Sequence, residues 1–374
     1  MKYFLIVGEA SGDLHGSNLI KAIKAQDKHA EFQFWGGNLM SSASGIAPNK
    51  HIDELAIMGF LEVIVKLASI KENFKTIKRE LLQFKPDALV MVDYPGFNLR
   101  IAPFAKENNI PTFYYISPKV WAWKQKRVFK IKKYIDVLFT ILPFETEFYK
   151  QFDYEVQYVG NPLLDAIADY NKLEKKEIKT HYDKPIIAIL PGSRNQEISR
   201  ILPLMIEAAD SIEAYEFVIA GTSSFAPSYY ERFFVKRKYE IRYNETYGVL
   251  SDAYAAMVTS GTATLETALF NVPQVVCYKA NTVSYHIAKN LVKVKFMSLV
   301  NLILNREAVP ELLQDELNKE RLLEEIYAIL ENGTKRPQIL ADYKILHQKM
   351  GEAGASERVA KGIIDFLQFK NNSQ

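Results

Sequence analysis

Short runs of β-branched and aromatic residues alternate with longer helical patterns along this chain, and little other than a parallel sheet wrapped in helices accommodates that alternation. Strands are expected at Tyr3 to Val7, Glu31 to Trp35, Asp87 to Val92, Thr112 to Ile116 and Val137 to Ile141. A charged, strand-poor stretch, Asn171 to Lys184, interrupts the series, which restarts with Ile186 to Leu190, Phe217 to Ala220, Ala256 to Thr259 and Gln274 to Tyr278. From Glu311 onward the pattern reads as helical, and the Gly351-Glu-Ala-Gly354 break sets a final helix apart. At 374 residues the chain is long enough for two cores. The expected fold class is α/β, with two consecutive doubly wound domains divided near residue 171. Ligands of such sheets bind just outside the C-terminal ends of the strands, so two facing sets of ends would form a cleft.

Hydrophobic residues at 48% and charged residues at 24% are ordinary globular values, which sets aside disorder, collagen-like repeats and coiled coil. Lys and Arg number 47 against 44 Asp and Glu, a surplus too small for global nucleic-acid affinity. A single cysteine, Cys277, forms no internal disulfide, and with six scattered His it makes no structural zinc site; a reducing cytoplasm is the expected compartment. The N-terminal apolar run is five residues, far short of a signal-peptide core. Ala56 to Ile70, the longest apolar stretch, is interrupted by Glu62 and Lys66 and is shorter than the ~20 residues of a spanning helix. It reads either as a buried core helix or as an interfacial helix dipping into lipid.

The first strand runs into Gly8-Glu-Ala-Ser-Gly-Asp13, whose glycines fit neither a dinucleotide fingerprint nor a P-loop. Asp13 reads best as the N-cap of a helix beginning near Leu14. Glu9, a carboxylate between a strand end and a glycine turn, reads as a ligand contact. The run Ala88 to Val92 delivers Asp93 to a strand end, where it serves either as a partly desolvated general base toward a sugar hydroxyl or as the cap of the next helix. Between Lys119 and Lys133 lie seven basic residues and no acidic one, interleaved with Trp121, Trp123, Phe129 and Tyr134. That pattern suits nucleic acid or a phosphate-bearing, membrane-surface ligand, with a solvated face as the plain alternative for the outer lysines.

In the second half, Ile186 to Leu190 leads into Pro191-Gly-Ser-Arg194 and a helix. Gly192 and Ser193 present backbone N–H groups at a helix N-terminus, and Arg194 can fork onto phosphate oxygens, which describes a diphosphate site. Ser260-Gly-Thr-Ala-Thr-Leu-Glu266 repeats the arrangement after another strand: Ser260, Gly261 and Thr262 can approach a phosphate, and Glu266 can bind a ribose. Ser260 as a plain cap and Glu266 as a dipole complement are the alternatives. Cys277 lies within an apolar strand and reads as core.

These blocks, together with Met58-Gly-Phe-Leu-Glu-Val63, Ile116-Ser-Pro-Lys-Val-Trp-Ala-Trp123, Arg127-Val-Phe-Lys-Ile131, Leu142-Pro-Phe-Glu145, Ser298-Leu-Val-Asn301 and Glu311-Leu-Leu-Gln314, resemble the lipid-A-disaccharide synthases over nearly the whole chain. The resemblance implies a two-Rossmann (GT-B) fold whose last helix crosses back to the first domain. The domains are then 1–170 with about 352–374, which binds acceptor and lipid, and 171–351, which binds the UDP-sugar. It implies a metal-independent, cofactor-free inverting transfer of 2,3-diacylglucosamine from UDP to the 6-hydroxyl of 2,3-diacylglucosamine 1-phosphate. The product is a β-1,6 disaccharide of the Gram-negative outer-membrane lipid, made at the inner face of the cytoplasmic membrane.

By the same resemblance Asp93 is the general base, with Glu9 and Ser11 in the acceptor-side loop. Arg194, Ser260, Thr262, Glu266, Asn301 and Gln314 contact UDP. Met58, Phe60, Leu61 and Ile64 belong to a lipid-inserting patch, and the 119–133 segment, Arg127 included, becomes a basic face toward anionic lipid or substrate phosphate. Two departures matter: Gly96 stands where many members carry a second aspartate, and Lys124 where many carry arginine. The first leaves Asp93 as the base unless Glu9 serves, and the second gives up a bidentate fork. The rival readings are a UDP-sugar epimerase or another nucleotide-sugar transferase with a soluble acceptor, and a nucleic-acid-binding module. An oligomer is compatible with the sequence.

Overall fold

The computed structural model describes residues 1–55, 63–172, 182–281 and 294–372, without the side chains of 63–68 and 371. The chain divides into two compact units, Met1–Asp165 with Glu352–Gln374, and Ala166–Gly351. The first crossing falls within the helix Pro162–Lys172, just ahead of the charged stretch at which the sequence suggests a boundary.

The first unit is built on β1 (Lys2–Ile6), β2 (Glu31–Gly36), β3 (Lys50–His51), β4 (Ala88–Val92), β5 (Thr112–Tyr115), β6 (Val137–Thr140) and β7 (Gln157–Tyr158). Their order is β3-β2-β1-β4-β5-β6-β7, every pair parallel. Successive side chains of a strand point to opposite faces, and the two cores follow that period. Tyr3, Leu5, Val90, Val92, Phe113 and Tyr115 face one core, while Phe4, Ile6, Leu89, Met91 and Tyr114 face the other. The first core is closed by the final helix, Ala355–Asn372, through Val359, Ile363 and Leu367 at four-residue spacing. Burying each of these side chains stabilises by roughly 1.5–3 kcal/mol. The helix is held at its start by Asp165, whose carboxylate accepts the N–H groups of Gly354 and Ala355.

The second unit carries β8 (Ile186–Leu190), β9 (Glu216–Gly221), β10 (Glu240–Tyr243), β11 (Ala253–Thr259), β12 (Gln274–Tyr278) and β13 (Glu311–Leu313). The order is β10-β9-β8-β11-β12-β13, again all parallel. Cys277 is buried within β12, where desolvation pushes its thiol well up. The structure corrects the helical reading from Glu311 onward, because residues 311–313 form β13 and a 3-10 turn, Gln314–Glu316, follows.

Both sheets reverse their winding between two neighbouring strands, β1 and β4 in the first and β8 and β11 in the second. Such a switch point opens a crevice at the strand C-termini, because the helices that follow the two strands lie on opposite faces. The loops beginning at Gly8, Asp93, Pro191 and Ser260 all leave from those four strands.

Candidate active site

In the first unit the chain leaves β1 through Val7 and Gly8. Gly8 is packed so tightly that a Cβ there would stand 2.3 Å from Cγ of Tyr94. Only glycine lets the end of β1 approach the end of β4 this closely. Asp93 and Tyr94 both take left-handed backbone conformations, with φ 44° and 49°. This costly turn is held from several sides. The Asp93 N–H donates to the Tyr115 carbonyl at 3.0 Å, and its own carbonyl accepts Asn98 Nδ2 at 2.7 Å and the Tyr114 hydroxyl. The helix that follows, Pro95–Glu107, has Tyr94 at its N-cap position, with no side-chain cap. Asp93 is therefore no helix cap, which removes the plain alternative for it.

Burial raises the Asp93 carboxyl above the usual carboxylate range; the neighbouring Glu9 charge pushes the same way, and Lys119 opposes both. Glu9 is exposed at the N-cap position of the helix Ala10–Gln26 and makes no capping bond to it. Ser11 is exposed on the same first turn. That helix begins at Ala10, four residues earlier than the sequence suggests. Asp13 consequently lies inside it, and its buried carboxylate caps a different helix, Asn38–Ser44.

Lys119 sits on the loop leaving β5, the strand next to β4, close enough for its charge to act on Asp93. The loop is anchored by Glu145. This buried carboxylate accepts the N–H groups of Ile141 and Leu142 at 3.1 and 2.9 Å and the Trp121 indole N–H at 3.2 Å. Burial pushes its pKa up to about 7. Further along, Trp123 is 43% exposed, with Lys124 Nζ 4.2 Å and Arg127 Cζ 5.7 Å from its ring, and Phe129 is 60% exposed. Met58, Phe60 and Leu61 lie outside the described residues, as does the side chain of Ile64, whose backbone belongs to the helix Val63–Phe84.

In the second unit, Gly192 turns the chain after β8 with φ +98°, and the helix Asn195–Ala209 starts from Arg194. Ser193 and Arg194 are exposed, and the Arg194 guanidinium reaches Glu197 at 3.3 Å. Just past the end of neighbouring β11, Ser260 donates to the Met297 carbonyl at 3.1 Å, while Gly261 and Thr262 stand exposed where the helix Thr262–Leu269 begins. Glu266 is on that helix, half-buried, and accepts the Tyr247 hydroxyl at 3.0 Å. Burial raises its carboxyl above the usual range, against the pull of Tyr247. It lines a pocket of 540 Å3 with Tyr170, Asn244, Glu245, Thr246, Tyr247 and Gly248.

Two residues expected to touch UDP are engaged within the protein. Asn301 is fully buried; its amide donates to Val309 O and Glu311 Oε1 and its carbonyl accepts the N–H groups of Ala308 and Val309, which spends every bond that amide can make. It shapes the turn before β13, and direct nucleotide contact does not fit this geometry. Gln314 uses its side-chain carbonyl on the Ala280 N–H at 3.0 Å.

Sequence reasoning missed Lys119 as an individual, Glu145, and the pair Tyr170 and Tyr247. Glu145 carried a signal, an acid directly after Leu-Pro-Phe at a strand end. Tyr247 carried none, since its value comes from facing Glu266. Among the described residues no His, Cys, Asp and Glu cluster has metal-site geometry, and no helix is long and apolar enough to cross a membrane.

Residues 3–361 match the model of the lipid-A-disaccharide synthetase family. A lipid-A-disaccharide synthase of Syntrophus aciditrophicus is 36% identical over 95% of both chains. One from Coxiella burnetii is 35% identical over 97% of this chain and 98% of its own. Among solved structures, a UDP-GlcNAc 2-epimerase from Neisseria meningitidis bound to UDP-GlcNAc aligns over 98% of this chain and all of its own with a TM-score of 0.64. At 12% identity that likeness is one of fold, the two-Rossmann GT-B architecture. The family match spans both units and all four switch-point loops, and this chain belongs to the lipid-A-disaccharide synthetase family.

Proposed function

We propose that this enzyme transfers 2,3-diacylglucosamine from UDP to the 6-hydroxyl of 2,3-diacylglucosamine 1-phosphate, with Asp93 as general base and Arg194 as the main counter-charge to the departing diphosphate. Family membership makes it a hexosyltransferase of lipid A biosynthesis and favours this reading over a UDP-sugar epimerase. The observation that carries the assignment of roles is the pair of switch points. One holds a desolvated carboxylate, and the other holds two exposed helix N-termini and an arginine.

In this reading the Asp93 carboxylate takes the proton of the acceptor hydroxyl as its oxygen bonds to C1 of the donor sugar. The bond from C1 to the diphosphate breaks on the opposite face, so one displacement inverts the anomeric centre, and UDP leaves with the electron pair. Lys119 and Glu9 flank the base and bias its protonation in opposite senses. Negative charge on the leaving group is met by Arg194, the amides of Gly192 and Ser193, and the Ser260–Thr262 turn. That arrangement assigns the charge relief to protein groups rather than to a metal ion. Glu266 would hold the ribose, and the adjoining pocket, walled by Tyr170 and Tyr247, has room for the uracil.

The acylated substrates reside in a membrane, and we assign surface contact to Trp123, Phe129 and the cations around them at the inner face of the cytoplasmic membrane. Aromatic rings beside Lys and Arg suit an anionic lipid interface. The test combines purified enzyme, UDP-2,3-diacylglucosamine and the monosaccharide 1-phosphate. A disaccharide 1-phosphate formed with one UDP per product supports the reading. A donor converted to an epimer, with or without acceptor, refutes it.

A further inference from the structure

One amide assigned to the donor diphosphate, that of Ser193, and the Arg194 amide beside it already hold an anion that the chain itself supplies. Glu197 Oε2 accepts the N–H groups of Ser193 and Arg194, both at 3.3 Å, and Glu197 Oε1 accepts Arg194 Nη1 at 3.3 Å. The turn at Gly192 is drawn in so far that a Cβ there would stand 2.7 Å from Glu197 Oε2. Three residues beyond the N-cap, Glu197 has the spacing of a capping box, in which a carboxylate satisfies helix donors that have no partner within the helix. Here the Ser193 donor and the Arg194 guanidinium are both groups assigned to the diphosphate, and the Arg194 amide lies next to them. All three contacts, at 3.3 Å, lie just beyond the usual N–H···O range and are weak. The Arg194 side chain is 81% exposed, so solvent and ligands reach this contact.

We propose that Glu197 is an intramolecular stand-in for the donor diphosphate. It keeps the Ser193 and Arg194 amides and the guanidinium organised between turnovers, yields them when the UDP-sugar binds, and competes for them with product UDP, which speeds product release. The proposal rests on the diphosphate reading of Gly192–Arg194. A carboxylate displaced from the cradle stays on the same helical turn, close enough to repel the phosphates that replaced it. Its charge therefore weakens every ligand that carries a diphosphate, and leaves ligands without one untouched. Glutamine at 197 can still accept from the amides, so Glu197→Gln removes the charge and keeps the cap.

The experiment is calorimetric titration of full-length wild type and Glu197→Gln with UDP, inorganic pyrophosphate and uridine, alongside thermal melts. UDP and pyrophosphate should bind about three- to tenfold tighter to the variant, the scale of one charge at a helix N-terminus. Uridine should bind equally to both, and UDP should become a stronger product inhibitor by the same factor. Unchanged or weaker UDP binding in a Glu197→Gln protein that melts with wild type overturns the proposal; if that variant melts early, Glu197→Ser is held to the same criterion. Arg194→Ala, titrated in parallel, separates the two levels. If it binds UDP as wild type does, the diphosphate reading fails and the stand-in with it. If it binds UDP more weakly while Glu197→Gln brings no gain, only the stand-in fails.

Discussion

The carboxylate of Asp13 accepts the backbone N–H of Gly37 at 2.7 Å, so a residue on one helix closes the N-terminus of the next. The same carboxylate takes the N–H groups of Leu39 and Met40 at 3.0 and 3.1 Å. It thereby ties the helix after β1 to the start of the helix after β2. Asp13→Ala would leave three buried or half-buried donors without their acceptor, at a cost of about 1–3 kcal/mol. Urea melts should show that loss while UDP affinity in the other unit stays unchanged; a variant as stable as wild type would contradict the capping role.

With Asp93 as the proposed base, the acidic limb of the activity profile should follow from its surroundings. A base works only when deprotonated, and a carboxyl held above its usual range needs a higher pH to ionise. Activity should therefore fall on the acid side at a pH above that of an ordinary carboxylate. Lys119→Met removes the cation that favours ionisation, so the limb should move to higher pH, whereas Glu9→Gln removes an anion and should move it lower. Profiles of kcat/KM against pH for the three proteins check the sign. Shifts in the same direction would contradict this charge arrangement.

Glu145 makes a stability prediction of opposite habit to most carboxylates. Its folded pKa of about 7 lies above the unfolded value, so the native state binds the proton more tightly. Its contribution is fully present below pH about 4.5 and is lost as pH rises through about 7, by about 3 kcal/mol at most. Denaturant melts from pH 4.5 to 7.5 should show wild type losing stability relative to Glu145→Gln over that window. Parallel curves would mean that the amides of Ile141 and Leu142 keep the carboxylate ionised.

Arg194 should be more sensitive than a surface lysine. Arg194→Ala should lower kcat/KM by roughly tenfold to a thousandfold, and Arg194→Lys by less, because charge survives while the bidentate fork is lost. Lys361→Ala, on the exposed face of the final helix, should leave kcat/KM unchanged. Equal activity in Arg194→Ala and Lys361→Ala would sink the diphosphate assignment.

What the sequence revealed and what it hid divide along physical lines. The central strands, buried on both faces, read as continuous apolar runs; Asp93 stood out directly at the end of one, and Arg194 and Glu266 in the turn and the helix that follow two others. Among the described residues the four strands it missed, β3, β7, β10 and β13, are the sheet edges: β3, β7 and β13 are only two or three residues long, and β10 alternates polar and apolar residues, a half-buried pattern that a reading for continuous apolar runs passes over. Side chains whose roles depend on distant amides were equally hidden. Nothing near Asp13 in sequence names Gly37, and nothing near Asn301 says that its amide closes on Val309 and Glu311 rather than on a nucleotide. Lys119 was one basic residue among seven until the pairing of β4 with β5 set it beside Asp93.

The proposed role of Asp93, deprotonating the acceptor hydroxyl, is tested most directly by acceptor-dependent UDP release from Asp93→Asn beside wild type, with UDP affinity measured on both. Turnover should fall by about a hundredfold to ten-thousandfold, the usual worth of a general base, while UDP binds unchanged. Near-wild-type turnover in Asp93→Asn would contradict it and move the base to Glu9.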